Sequence, residues 1–111
     1  MQVRSYAKQA PISPKKARLI VSEVRGKRVD EAMAILRFMQ TPHARIVAKA
    51  VRSAVANAEN NYSLDPRGLR VKEAFVGTGA TTRRMRPRAR GRGDIIRHRR
   101  SNITIVVEDE V

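Results

Sequence analysis

The chain contains no cysteine and no tryptophan, and its aromatic residues are limited to two tyrosines and two phenylalanines. The absence of cysteine excludes disulfide bonds and cysteine-ligated zinc, which fits a reducing compartment. Because aromatic residues are so few, the core has to be built mainly from Val, Ile, Leu, Met and Ala. A core of this kind within 111 residues predicts one small domain, residues 1–111, with little spare stability.

Catalytic patterns and membrane segments are also missing. The histidines are His43, just after a helix-start proline, and His98, which lies among arginines and suits stacking or phosphate contact better than proton transfer. The acids are scattered, and no P-loop, dinucleotide fingerprint or metal-ligand spacing occurs. No apolar run approaches a membrane span, and the N-terminus lacks the apolar stretch of a signal peptide. The sequence therefore predicts a cytoplasmic protein that is not an enzyme and has no metal or other cofactor.

Negative charge is scarce. Ten Asp and Glu residues oppose 24 Lys and Arg residues, which gives a net charge of +14 and a pI near 11.6. Self-repulsion at this charge opposes compaction, and a polyanion relieves it. Arginine outnumbers lysine 18 to 6, which favours forked contacts with phosphates and stacking on bases. The composition indicates a nucleic-acid partner, with an anionic membrane surface as the alternative.

Three helices are predicted in the first half of the chain, after an extended segment over residues 2–10. The first begins at Ser13-Pro14, with Ser as N-cap and Pro in the first turn, and ends near Gly26. The second covers residues 29–39. The third begins at Thr41-Pro42 and runs to about residue 60, before a loop from Asn60-Asn61 to Gly68. Their apolar positions recur at helical spacing, and they are Ala17, Ile20, Val21 and Val24; Val29, Ala32, Ile35, Leu36 and Met39; Ala44, Val47, Val51, Ala54, Val55 and Ala58.

The second half contains two predicted strands and an arginine-dense stretch between them. Residues 69–77 form one strand, with Val71 and Phe75 among its apolar positions, and residues 101–108 form the clearest one. Between them, residues 83–100 hold nine arginines and a single acid, Asp94, for a formal charge of +8. The intervening stretch predicts a protruding hairpin over residues 78–100, with its turn near Arg88 to Gly93. Arms of about ten residues would reach roughly 30 Å.

The arginine-dense stretch lies outside every apolar pattern, so it is expected to be mobile in the free protein and to become ordered on RNA. A solvated basic tail is the alternative, but the bracketing strands argue for a fixed geometry. The basic helix positions are compatible with either solvation or phosphate contact. The candidate RNA-binding residues are Lys15, Lys16, Arg18, Arg25, Lys27, Arg45, Lys49, Arg52, Arg83, Arg84, Arg86, Arg88, Arg90, Arg92, Arg97, His98, Arg99 and Arg100.

Three stretches of the sequence closely resemble the family of bacterial large-subunit ribosomal protein twenty-two. They are ISPKKAR at 12–18 running on to RGK at 25–27, SAVANAENN at 53–61, and RPRARGRGDII at 86–96 followed by RRSNITI at 99–105. The third is highly specific, and the order and spacing cover nearly the whole chain. Arg28 departs from the family pattern, where Ser is a common N-cap for the second helix.

The resemblance implies an α+β fold, with three helices packed on a small three-stranded antiparallel sheet and a long extended β-hairpin. It also implies a structural constituent of the large ribosomal subunit that binds large-subunit ribosomal RNA, contacts neighbouring ribosomal proteins and supports assembly. The hairpin would line the nascent-peptide exit tunnel, and no homo-oligomer is expected. The tip residues implied by the motif are Met85, Arg86, Pro87, Arg88, Ala89, Arg90, Gly91, Arg92 and Gly93.

Other classes of function fit the sequence less well. A free-standing nucleic-acid binder, such as a nucleoid protein or RNA chaperone, would show weak structural selectivity and a steep salt dependence on any duplex. A small RNA-processing enzyme would need a positioned acid, base or metal, and the sequence shows none. A membrane-surface protein would need an apolar face opposite the basic segment, which is also lacking.

Overall fold

The computed structural model describes residues 1–87, 89–91 and 93–109 and shows an α+β fold, as the sequence predicted. The strands are β1 (Gln2–Ala10), β2 (Leu69–Pro87) and β3 (Gly93–Asp109), and the helices are α1 (Pro14–Val24), α2 (Val29–Phe38) and α3 (Ala44–Tyr62). Short 3₁₀ turns cover Pro66–Gly68 and Ala89–Gly91. The strands pair antiparallel in the order β1-β3-β2, so β3 is central.

The core lies between the sheet and the helices and is almost purely aliphatic. Fully buried side chains include Ile103 and Ile105 of β3 and Val47 and Val51 of α3. The alanines of α3 let the helix approach the sheet closely, and Ala54 and Ala58 are completely buried, as the spacing predicted. All four aromatic side chains are exposed. The core is therefore built from aliphatic residues, as the composition predicted.

Phe75, one of the apolar positions of the predicted strand, lies outside the core because β2 contains a bulge. Val71 pairs with Val107 but Glu73 pairs with Val106, so Lys72 is the extra residue. An extra residue reverses which side chains face the core beyond it. Val71 before the bulge and Ala74 and Val76 after it are therefore buried, while Phe75 points to the outer face of the sheet and is half exposed.

Two buried serines connect the layers of the fold. Ser5 Oγ on β1 donates a hydrogen bond to the carbonyl oxygen of Ala50 on α3, at 2.7 Å. Ser101 Oγ on β3 donates to the carbonyl oxygen of Ile12, at 2.6 Å, and thereby holds the segment that follows β1. Buried hydroxyls need such partners because an unsatisfied polar group in the interior is costly.

The helix ends differ from the predictions in detail. Ser13 occupies the N-cap position of α1, but its side chain makes no capping hydrogen bond. Thr41 and Pro42 form a turn before α3, which begins at Ala44 rather than at the proline. The helix also continues through Asn60 and Asn61, which had been assigned to a loop. It ends at Ser63, whose φ of 55° is left-handed and whose N–H donates to the carbonyl oxygen of Ala58.

Beyond the three-stranded sheet, β2 and β3 continue as a two-stranded hairpin. Their pairing runs from Thr78↔Ser101 to Pro87↔Gly93, and the turn contains Ala89–Gly91, where it was predicted. The hairpin makes the molecule 64 Å long in its longest dimension. The radius of gyration is 16.9 Å, against about 13 Å for a compact chain of this length.

Candidate RNA interface

The hairpin carries its cations on an exposed surface. Between residues 78 and 100, none of the side chains that the structure describes is buried. The ion pairs seen among residues 1–87, 89–91 and 93–109 use the cations of Met1, Arg67, Arg70 and Lys72, which lie outside the hairpin. Arg88 and Arg92 lie outside the described residues. The described arginines of the hairpin are Arg83, Arg84, Arg86, Arg90, Arg97, Arg99 and Arg100.

The strand register places like charges next to each other on one face of the hairpin. Arg83 pairs with Arg97, and Arg99 lies on the same face two pairs nearer the core. Like charges directly opposite each other on a sheet destabilise the pairing. An anion bound between such arginines would relieve the repulsion, so the register itself favours a polyanionic partner.

The hairpin root is held by Gln9 at the end of β1. Gln9 Oε1 accepts a hydrogen bond from the N–H of Ala80 at 2.9 Å, and its N–H donates to Asn102 Oδ1 at 3.0 Å. The Arg100 guanidinium donates to the Gln9 carbonyl oxygen at 3.1 Å. Gln9 adopts a left-handed φ of 55°, and these three bonds hold this unfavourable conformation. The side chain therefore fixes where the hairpin leaves the sheet.

The basic positions of α1 do not form one continuous stripe. Arg25 Nε donates to the carbonyl oxygen of Ala74 at 3.0 Å, and Arg18 Nη2 reaches that of Val76 at 3.4 Å. Both acceptors lie on β2, an edge strand of the sheet. Arg18 and Arg25 thus cover a sheet edge, whereas Lys15 and Lys27 are exposed elsewhere.

The basic positions of α3 line a groove against α2. Arg45, Lys49 and Arg52 are joined there by Arg37 of α2, which the sequence reasoning had not selected. The groove has a volume of about 800 Å³. Its floor is apolar and is formed by Met33, Leu36, Met39, Ala44 and Ala48. No acid lines this groove in the part of the chain that the structure describes.

A second basic pocket lies at the hairpin root and joins three separate elements. Lys16 comes from α1, His43 from the turn before α3, and His98 from β3. The arginines Arg97, Arg99 and Arg100 also line it. Sequence patterns alone do not indicate that the two histidines line one pocket, because they lie 55 positions apart.

Two acids, Glu108 and Asp109, form ion pairs at the end of the sheet away from the hairpin. Glu108 accepts from Arg70 at 2.7 Å and pairs with Lys72, and the hydrogen bond from Arg70 holds its pKa below the ordinary value. Asp109 binds the N-terminal ammonium at 2.9 Å, which lowers its pKa in the same way. Because these acids offset cations near them, the excess positive charge is concentrated towards the hairpin.

Two exposed aromatic side chains were missed as surface features. Tyr6 on β1 and Phe75 on β2 both lie opposite Thr104 of the central strand, on the face of the sheet away from the helices. Both are about half exposed or more. Strand alternation placed Tyr6 outside, but only the bulge placed Phe75 beside it.

Other kinds of site are not found in the described part of the chain. Among residues 1–87, 89–91 and 93–109, no group of three or more His, Cys, Asp or Glu side chains is arranged to hold a metal ion. No helix in those ranges has both the length and the hydrophobicity needed to cross a membrane.

Comparison with known proteins identifies the family. The model of the ribosomal protein L22p/L17e family matches residues 5–108. The chain is 48% identical over 110 residues to the large ribosomal subunit protein uL22 of Desulforamulus reducens and to that of Oceanobacillus iheyensis, covering 99% of this chain and 97% of each relative. It is equally similar to that of a Thermoanaerobacter species, at 99% coverage of both chains. The chain therefore belongs to the ribosomal protein L22p/L17e family, as its motifs indicated, and is a structural constituent of the large subunit of the cytoplasmic ribosome rather than an enzyme.

Proposed function

We propose that this protein binds large-subunit ribosomal RNA, supports assembly of the subunit and lines the nascent-peptide exit tunnel with its hairpin. Residues 1–111 act as one domain in this proposal, and residues 78–100 form the hairpin within it. The basic residues named from the sequence provide the RNA contacts. The tip from Met85 to Gly93 faces the nascent peptide.

The observation that carries the proposal is the exposed arginine surface on an extended two-stranded hairpin. Cations without carboxylate partners bind phosphates with the release of counterions, which is a large favourable term in RNA binding. A guanidinium also stacks on unpaired bases. A hairpin about 30 Å long can place these groups between RNA segments that a compact domain could not reach together.

The remaining contacts divide between RNA and protein. The exposed cations of α1 and α3 anchor the globular part on RNA. The α2–α3 groove combines an apolar floor with a basic rim, which suits a neighbouring ribosomal protein as well as RNA. The exposed arginines oppose close approach of a second copy, so the protein acts as a single chain within the subunit.

The alternative is a free-standing nucleic-acid binder, which the overall charge also permits. The two functions predict different behaviour of purified subunits. A structural constituent remains with large subunits through a high-salt wash, whereas a free binder is released because its affinity is mainly electrostatic. Complete release in such a wash would contradict the proposal.

Deletion of residues 83–93 tests the role of the hairpin. The deletion leaves the Thr82↔His98 pair closed by a four-residue loop, 94–97, which is a common hairpin connection. Six arginines are lost, so the slope of log affinity for ribosomal RNA against log salt should fall by about 5 if all six contact phosphates. Affinity at physiological salt should fall about a hundredfold or more. Filter binding across a salt series measures both quantities.

A matched variant keeps the hairpin and changes the same six arginines to glutamine. Its slope should fall as much as that of the deletion, because both remove the same charge. Circular dichroism should show the same helix content in both variants as in the parent protein. An unchanged salt slope in both variants, or global unfolding of the deletion, would refute the hairpin's assigned role.

A crosslinking experiment tests the position in the tunnel. A photoreactive residue at position 90, within the tip, should crosslink to a stalled nascent peptide in assembled ribosomes. The same probe at Glu73, on the outer face of the sheet, is the control and should not. Equal labelling from both positions, or none from position 90, would contradict the assignment of the tip.

A further inference from the structure

We propose that the pocket at the hairpin root binds a backbone phosphate of RNA and that protonation of its two histidines tightens this contact. The inference rests on the proposed function, since the ligand is a phosphate of ribosomal RNA. It goes beyond that function by assigning a specific subsite and a dependence on pH. It also brings in His43, which had no assigned role.

The geometry of the pocket suits an anion. The cavity measures about 360 Å³, which is ample for a phosphate group with water. Basic residues of α1, of the turn before α3 and of β3 line it, and no acidic residue lines it among the described residues. His43 is half-buried and His98 is exposed, so the pocket is open to a strand of RNA that passes along the hairpin.

The charges around each imidazole are defined on every side that the structure describes. The basic residues that line the pocket with His98 are Lys16 and the arginines Arg97, Arg99 and Arg100. Arg97 and Arg99 are its neighbours on β3, so their side chains project to the opposite face of the strand. His43 lines the same pocket and also an adjoining cavity with Lys16 and Glu23 of α1. No ion pair joins Glu23 to His43 within residues 1–87, 89–91 and 93–109. Cations therefore outnumber the single acid around the pair.

The contribution of each cation differs. The guanidinium of Arg100 is held by the Gln9 carbonyl oxygen, so it provides fixed charge rather than a mobile contact. Lys16, Arg97 and Arg99 supply the other basic groups of the pocket. Imidazole is in general the side chain whose charge changes near neutral pH, and its protonated form carries two N–H donors. A phosphate bound there favours the protonated form, and by reciprocity protonation favours the bound phosphate.

Affinity for ribosomal RNA measured at two pH values tests the proposal. With a transcript of large-subunit ribosomal RNA at constant ionic strength, the protein should bind about three- to tenfold more tightly at pH 6 than at pH 8, the range expected for two exposed charge pairs. His43→Gln and His98→Gln should each reduce this ratio. Because the chain has only these two histidines, the double variant contains no imidazole and should bring the ratio close to one.

A variant with permanent cations distinguishes a phosphate site from a structural role. The double variant His43→Lys/His98→Arg should bind at pH 8 as tightly as the parent protein does at pH 6, with no further gain on acidification. Circular dichroism at both pH values verifies that each variant is folded. A pH ratio that persists unchanged in the histidine-free variant would overturn the proposal while leaving RNA binding intact. Failure of the parent protein to bind the transcript at either pH would instead overturn the proposed function, and this inference with it.

Discussion

The globular part and the hairpin share the same two strands, β2 and β3, yet different interactions determine the stability of each region. In the globular part, residues 1–77 and 101–109, β2 and β3 are covered by helices, and Ile103 and Ile105 are fully buried. In the hairpin, the same β3 carries Ile95, which is 58% exposed, among arginines. Burial of apolar area stabilises the first region. The second gains little from burial, and its closely spaced arginines repel one another.

The largest expected effect on stability comes from shortening one isoleucine of β3 in the globular part and comparing it with the same change in the hairpin. Ile105→Ala should reduce the free energy of unfolding by about 2–5 kcal/mol, because it opens a cavity in the core. Ile95→Ala should change it by less than about 0.5 kcal/mol, because this side chain is largely in solvent already. Urea denaturation followed by circular dichroism measures both values. Equal losses would show that the hairpin packs against the core in solution.

A smaller effect is expected at the boundary between the regions. A Cβ added at Gly79 would lie 2.8 Å from Gln9 Oε1 and 3.0 Å from the Arg100 carbonyl oxygen. Gly79→Ala should therefore destabilise the fold by about 1–3 kcal/mol, whereas Gly77→Ala, whose nearest contact is 3.9 Å, is the tolerated control.

Removing the Gln9 side chain shows how much of the Gly79→Ala destabilisation comes from the contact with Gln9. In a Gln9→Ala background, Gly79→Ala should cost less, because the nearer of the two contacts is gone. Urea denaturation of the four proteins gives the coupling. No difference between Gly79→Ala and Gly77→Ala would show that the root is loose and that Gln9 does not fix the hairpin.

The smallest expected effect concerns acid stability at the end of the sheet away from the hairpin. The pKa of Glu108 is lowered in the folded state by Arg70, so its contribution is full above the ordinary carboxyl value and is lost as pH falls through the folded value. Glu108→Gln should remove this part of the acid dependence and shift the unfolding temperature above pH 5 by about 1–2 °C at most. Glu59→Gln, an exposed acid on α3, is the control. Parallel pH profiles for Glu108→Gln and the parent would contradict the assignment.

Most of the fold could be predicted from the sequence because apolar spacing and turn residues agree. The aliphatic stripes of the helices and the alternation in β3 all lie where the core is. The misses have local causes. The bulge at Lys72 depends on how β2 fits against β3, which periodicity cannot reveal. Asn60 and Asn61 favour loops by themselves, but α3 continues through them because its end is stabilised by bonds from Ser63 and Leu64 to Ala58.

The charge of the candidate interface could be predicted from the sequence, but which basic residues lie together in space could not. The arginines of the hairpin follow from composition and from the strands on each side. The division of the helix cations among a sheet edge, a groove and a pocket depends on how three helices pack. Arg18 and Arg25 illustrate this point, because their backbone acceptors lie about 50 or more residues away along the chain. The position of His43 and His98 in the lining of one pocket depends on the same packing.

The end of β1 at Ala10 has a consequence for the protein before it reaches a ribosome. From there onward most of both strand edges of the hairpin is uncovered: β1 no longer pairs with β3, and within residues 1–87, 89–91 and 93–109 the last β2 carbonyl that a helix arginine reaches is that of Val76. Bare strand edges invite pairing between copies, which leads to aggregation. Arginines along both arms make such an approach electrostatically unfavourable. Repulsion between the arginines of two copies therefore keeps these uncovered strands from pairing with each other.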